Sequence, residues 1–281
     1  MKKLLLLPIS VFLVFSLNAR ADNQKADNSG VIIPSDEEVV RELGKAGQAF
    51  LNPNSIKVLV WNIFKGDKEG WEPSFDRLKD DRDVLVLQEM LLDPQMETKL
   101  EADPFFQFIS AISFIYDKDD FPATGVSTAS VAKSNKTLWL RSPDREPLIK
   151  TPKMSLITVY NLYNSLEKLL VANVHGINFV RARVLARQLD QVFEKISQHK
   201  GPVILAGDFN TWTKRKMRTL KERAAKHLLK EVTYPNGDKR KSFMGNPLDH
   251  VFVRGLKTLS SQIVETKEAS DHNAIQAEFS W

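Results

Sequence analysis

The sequence holds no cysteine among its 281 residues. Disulfide bridges, a thiolate nucleophile and cysteine-based zinc sites are therefore excluded. No serine-nucleophile motif and no Cys/His zinc spacing stand in their place. A membrane-spanning helix needs about 20 apolar residues, and the apolar run over 4–17 has 14. No internal repeat and no long linker divides the chain. A strong charge of one sign is also missing. The formal +5 rests partly on Lys2, Lys3 and Arg20; without them 37 bases face 35 acids, a balance of +2. Net charge alone thus gives no ground for a nucleic-acid partner.

What is present begins with a leader. Lys2 and Lys3 precede the apolar run, and Ala19-Arg20-Ala21 offers a small-residue cleavage site before Asp22. This pattern predicts a secretory signal peptide over 1–21, with an uncleaved anchor as the alternative. The lack of a cysteine near that site excludes a lipoprotein. The leader predicts an exported bacterial protein, periplasmic or secreted, cleaved near Ala21. The remaining chain is long enough to bury a core without disulfides.

Residues 22–34 are mostly polar and predict an arm. Ser35 and Glu38 have capping-box spacing, which predicts a short helix over 36–50 ahead of the main domain. Arm and helix together cover 22–54, and the catalytic domain covers 55–281. Strands are predicted at 57–61, 84–88, 106–116, 126–133, 155–160, 169–175, 203–207, 248–253 and 274–279. Helices are predicted at 73–80, 93–102, 181–199 and 214–229, the third carrying one apolar stripe from Val184 to Ile196. Alternating strands and helices in one chain predict a single large α/β domain.

The informative residues are polar ones at strand ends. Val58-Leu59-Val60-Trp61 runs into Asn62, and Val84-Leu85-Val86-Leu87 into Gln88-Glu89. The strand from Leu169 ends at His175, with Asn178 close behind, and Val203 to Gly207 delivers Asp208 and Asn210. Asp249-His250 opens a further strand, and Ser270-Asp271-His272-Asn273 precedes the last. Taken singly, each residue could be a turn former, a cap or a buried core histidine. Together they supply acids, amides and imidazoles at the strand ends where open α/β sheets bind ligands. Such groups can hold a hard divalent cation and activate water against a phosphate ester.

The ordered motifs WNIFKG (61–66), LQEM (87–90), TGVST (124–128), NVHGIN (173–178), GDFNTW (207–212), LDHVF (248–252) and SDHN (270–273) carry a resemblance. Over roughly 56–281 the chain resembles the endonuclease/exonuclease/phosphatase superfamily. That group includes deoxyribonuclease I-like enzymes, abasic-site endonucleases, neutral sphingomyelinases and inositol polyphosphate 5-phosphatases. The stretch REPLIKTPKMSLITVY (145–160) is similar to an uncharacterised bacterial branch. The resemblance implies a four-layer α/β/β/α sandwich of two packed, mostly antiparallel sheets. It implies a site for Mg²⁺ (or Mn²⁺) at Asn62, Glu89 and Asp271. Asp208 and Asn210 would position the attacking water and phosphate oxygens, and His272 would face the scissile phosphate. His175 would be a second imidazole there, oriented by Asp249. Water would attack directly, without a covalent intermediate.

The substrate implied is a phosphodiester, with nucleic acid first and a phospholipid or inositol phosphate as alternatives. Lys214, Arg215, Lys216, Arg218, Lys221, Arg223, Lys226 and Lys230 form a basic segment just after Asn210. It could follow a phosphate backbone or form a solvated helix face. Trp212 could stack on a base or pack, and Lys153 and Asn178 are weaker substrate contacts. No obligate protein partner is evident, and a monomer is expected. The rival of another class is an inactive scaffold that binds partners; the presence of Glu89, Asp208, Asp271 and His272 argues against it.

Overall fold

The structure is a computed structural model describing residues 30–281. The leader predicted over 1–21, with its cleavage site, and the start of the arm lie outside the described residues. Along the chain run β1 (Val31–Ile32), β2 (Val40–Gly44), β3 (Ile56–Asn62), α1 (Trp71–Lys79), β4 (Val84–Leu92) and α2 (Pro94–Glu101). Next come β5 (Gln107–Tyr116), β6 (Ala123–Ser130), β7 (Ser134–Arg141), β8 (Met154–Asn161), β9 (Lys168–His175) and α3 (Ala182–Ser197). The last third holds β10 (Val203–Asp208), α4 (Lys214–Lys226), β11 (Lys230–Glu231), β12 (Ser242–Phe243), β13 (Asn246–Pro247), β14 (Asp249–Arg254), β15 (Lys257–Val264) and β16 (Ala274–Ser280).

Alternation along the strands builds the layers, because successive side chains point to opposite faces. On β3 and β4, Val58, Val60, Val84 and Val86 join Val171, Ile204, Ala206 and Val251 between two sheets. Their neighbours Leu59, Trp61, Leu85 and Leu87 turn outward onto Phe75 and Leu78 of α1 and Leu100 of α2. On β10, Val203 and Leu205 meet Leu185, Leu189 and Val192 of α3 and Leu220 of α4. Each such side chain, fully buried, contributes roughly 1.5–3 kcal/mol. The result is the four-layer sandwich.

One sheet runs β1-β5-β6-β4-β3-β16-β15, with β2 also on β5, and the other β11-β14-β10-β9-β8-β7. Most pairs are antiparallel, but β3–β4 and β9–β10 are parallel. A parallel pair needs a long crossover; α1 and α3 provide these. The parallel pairs thus deliver Asn62, Gln88, His175 and Asp208 at their carboxyl ends.

The helix expected over 36–50 does not form. Ser35 Oγ does donate to Glu38 Oε2 (2.8 Å), but the pair closes a turn. Val40–Gly44 then pairs along β5, and Val39 packs with Ile109 and Val126. Long-range pairing thus overrides a local capping signal, and the segment before residue 55 is built into the first sheet. The edge strands β7 and β15 have no counterpart among the strands expected from sequence, because polar residues interrupt their apolar pattern.

Candidate active site

Backbone irregularity aims the site. β4 carries a bulge between Gln88 and Met90, with Glu89 at φ 56°. Bulges re-aim side chains next to active sites, and this one turns the Glu89 carboxylate into a cleft of about 600 Å³. Gly207 has φ +139°, and a Cβ there would collide with the Val174 carbonyl oxygen. Only glycine lets β10 lie against β9 and present Asp208 beside His175. Asn210, at φ 51°, donates through Nδ2 to the Gly176 carbonyl (2.9 Å) and through its backbone N–H to Asp208 Oδ1 (2.9 Å).

Asn62, Glu89, Asp208, His175, His272 and Asp249 meet across the two sheets. Asn62 Nδ2 donates to Glu89 Oε1 (3.1 Å) and Asp208 Oδ2 (3.2 Å). His175 Nε2 lies 3.7 Å from Asp208 Oδ2 and 3.9 Å from Glu89 Oε1. His272 Nε2 lies 3.9 Å from the same Asp208 oxygen, while its Nδ1 sits 2.8 Å from Asp249 Oδ2. Asp249 therefore orients His272, which corrects the expected pairing with His175. The register explains it: Asp249 pairs with Asp208 at the end of β10, on the side facing the loop before β16.

Two further expectations change. Asn62 faces the carboxylates with its nitrogen, and its Oδ1 accepts from the Phe64 N–H (3.1 Å). In this arrangement it bridges Glu89 and Asp208 instead of offering a ligand oxygen. Trp212 does not line the cleft: its indole N–H donates to Asn178 Oδ1 (2.9 Å) and Lys216 Nζ lies 4.8 Å from its ring centroid. Asn178, Lys153 and Asp271 do line it. Lys153 Nζ is 3.5 Å from Glu146 Oε2, and Asp271 is paired with Lys241. His250 is fully buried and belongs to a support network, with Nδ1 2.7 Å from Glu231 Oε1 and Nε2 2.9 Å from Thr211 Oγ1.

Electrostatics separate the two imidazoles. Burial opposes a charge on His272, but Asp249, with Asp208 and Asp271, outweighs it and raises the group to about 9. His175 is pushed well below 6.5 by burial, with Lys153 and His272 adding to the effect. Asp208 is raised, first by burial and then by Asp249 and Glu89, against the pull of His272. At neutral pH the site thus pairs an imidazolium with a neutral imidazole and a carboxylate of raised basicity.

Among the described residues, Asp208, Asp249 and His272 place possible metal-ligand atoms within 4.8 Å of one another. Their geometry fits a proton relay better. The Asp249–His272 hydrogen bond already occupies Nδ1, and all three groups are buried. Glu89 and Asp271 both line the cleft and offer carboxylate oxygen, the ligand type a hard cation takes, with side chains 27% and 38% exposed.

Several site residues have no clear sequence signal. Gln188 of α3 donates to the His175 carbonyl (2.8 Å) and accepts from the Ile177 N–H (2.8 Å). Lys216 is fully buried and donates to the carbonyls of Asn210 (3.2 Å) and Ile177 (3.4 Å). Its place was legible in principle, since Lys216, Leu220 and Ala224 recur every four residues on the buried stripe of α4. Lys65 and Lys241 line the cleft through loops.

Fold and constellation together define a scaffold of hydrolases that act on phosphate esters. The chain belongs to the endonuclease/exonuclease/phosphatase family, whose model matches residues 59–272. It is 35% identical over 234 residues to a UPF0294 protein of Yersinia pseudotuberculosis, covering 83% of this chain and 86% of that one. Its fold is shared with an endonuclease/exonuclease/phosphatase from Beutenbergia cavernae: TM-score 0.63, 17% identity, 81% of this chain and 72% of the other. D. rerio TDP2 complexed with single strand DNA product is similar at TM-score 0.55 and 15% identity, over 81% and 99% of the two chains.

Proposed function

We propose that the protein is a divalent-metal-dependent phosphodiesterase that hydrolyses nucleic acid by direct attack of water. The observation that carries the chemistry is the buried Asp249–His272 pair facing Asp208 and His175 across one cleft. Asp208, with raised basicity, accepts the proton of a water lodged between it and His175. His272, held protonated by Asp249, presents Nε2–H to the phosphate oxygens. Asn210 and Gln188 hold the two loops in register. Mg²⁺ or Mn²⁺ at Glu89 and Asp271 would neutralise the phosphate and ease departure of the leaving oxygen.

The preference for nucleic acid rests on the cleft cations Lys65, Lys153 and Lys241. It does not rest on α4. No residue of α4 lines the cleft, Lys216 is buried, and Lys221 and Arg223 are paired with Glu231 and Asp190. A phospholipid is the second reading, favoured by Leu148 and Ile149, 74% and 48% exposed at the cleft loop. Export after cleavage near Ala21, and action as a monomer, complete the proposal. No helix among the described residues is long and apolar enough to cross a membrane.

The test is a panel with purified protein and Mg²⁺ or Mn²⁺: single- and double-stranded DNA, RNA, phospholipid vesicles, inositol phosphates and bis(p-nitrophenyl) phosphate. Cleavage of nucleic acid without lipid turnover is expected. Lipid turnover alone selects the second reading. A folded protein that leaves every diester intact refutes both.

A further inference from the structure

Two phenylalanines on the cleft wall are placed at odds with their chemistry. Phe64 and Phe179 both line the cleft and are 37% and 60% exposed. Both hold left-handed backbone, at φ 51° and 53°. For bulky residues that conformation is a genuine outlier, and such strain collects at ligand clamps. Phe121, Leu228 and Met244 share the conformation, but they sit in the β5–β6 turn, just past the end of α4 and in the β12–β13 turn, and none of them lines the cleft.

The backbone of each phenylalanine is tied to an asparagine of the site. Asn62 Oδ1 accepts from the Phe64 N–H (3.1 Å), and Asn178 Oδ1 accepts from the Phe179 N–H (2.8 Å). Asn178 is itself fixed by the Trp212 indole (2.9 Å) and by Glu146, which accepts from its backbone N–H (3.0 Å). Asn62 leads from the Glu89 side of the cleft and Asn178 from the His175 side. Lys65, next to Phe64, lies with Nζ 5.6 Å from the Tyr116 ring centroid in the same cleft.

We propose that Phe64 and Phe179 are stacking platforms for unpaired nucleobases on either side of the scissile phosphate, so that the substrate is single-stranded or locally unpaired nucleic acid. This rests on the phosphodiesterase reading above and gives its substrate a class. Chemistry selects the occupant. Exposed aromatic faces beside lysines are the combination that binds single strands, the cations on phosphates and the rings on bases. Bases in a duplex have their faces stacked on one another, so only an unpaired base can offer one. The rings take the role that sequence reasoning offered to Trp212, whose N–H and face are already engaged.

The test uses the full protein in Mg²⁺, in a His272→Ala background that binds without turnover. Fluorescence anisotropy compares a thymidine hexamer with an abasic hexamer carrying the same phosphates. The intact hexamer should bind more tightly. Phe64→Ala and Phe179→Ala should each reduce that preference about 5- to 150-fold, the equivalent of 1–3 kcal/mol per stacked base. Phe179→Gly should lose the same preference while keeping or raising Tm, since glycine is at ease at this φ. Equal binding of intact and abasic strands by the parent, or a preference unchanged in both alanine variants, overturns the inference while leaving the phosphodiesterase reading intact. A fall in Tm for Phe179→Gly assigns that ring to packing and overturns its role. If the wild type cleaves no nucleic acid but turns over phospholipid vesicles, the nucleic-acid reading itself fails, and this inference with it.

Discussion

Replacing Asp249 with Asn removes the charge that keeps His272 protonated while leaving the side-chain shape almost unchanged. Asp249 is buried, with its oxygens 2.8 and 3.0 Å from His272 Nδ1. Burial works against the imidazolium, yet the group stands at about 9 instead of 6.5 because of Asp249, Asp208 and Asp271. At 1.36 kcal/mol per pH unit that rise is worth about 3 kcal/mol. A base whose folded value is raised stabilises fully below its unfolded value of 6.5, and loses the contribution as pH climbs through about 9. Asp249→Asn should therefore be less stable than wild type at pH 6 by up to about 3 kcal/mol, with the gap narrowing toward pH 10. Urea denaturation in EDTA, tracked by far-UV circular dichroism at four pH values, reads this directly. Turnover should fall about 10²- to 10⁴-fold, the worth of a positioned acid–base group. A gap constant from pH 6 to 10 would refute the reasoning, because Asp249 would then not be what holds the His272 proton.

Lys216 gives a second pH signature of opposite sign. Burial lowers it to about 8 against Asp208 and Glu146. The unfolded chain holds this proton up to 10.5, so wild-type stability should rise by about 3 kcal/mol relative to Lys216→Met between pH 8 and 10.5. A gap that stays constant across this window in urea titrations would contradict it. Gly207→Ala should cost at least about 2 kcal/mol, since backbone meets backbone at Val174; an unchanged Tm would contradict that. Asn173 links the sheets, donating to the carbonyls of Leu87 and Ser127 (3.0 Å each) and accepting from Gln88 Nε2 (2.8 Å). Asn173→Ala strands those buried groups and should cost about 3 kcal/mol in denaturant titrations.

Much of the fold was legible because its central strands are almost purely apolar. Val84 to Leu87 or Val203 to Ala206 could hardly be anything but buried strands, and the polar residue ending each run marked the site. Which residue touches which was not legible. Asp249 and His272 are 23 residues apart, and their contact depends on the β10–β14 register. The family resemblance had offered His175 as the partner. The Glu89 bulge and the strained Phe64 and Phe179 are backbone events with no compositional mark. The failed helix over 36–50 shows the reverse error: Ser35 and Glu38 bond as predicted, but pairing with β5 makes residues 40–44 a strand. The basic run after Asn210 left two readings open, because a count of charges does not say which face of α4 each lysine occupies.

The central claim is that one cleft uses Glu89 for the metal side and the Asp249–His272 pair for the proton side of phosphodiester hydrolysis. Its most direct test is steady-state turnover of the best diester by wild type, Glu89→Gln and His272→Ala, with folding of all three verified by circular dichroism. EDTA should abolish wild-type turnover, and each variant should lose at least about 10²-fold in kcat. Turnover indifferent to EDTA, or His272→Ala working at the wild-type rate, would contradict the account.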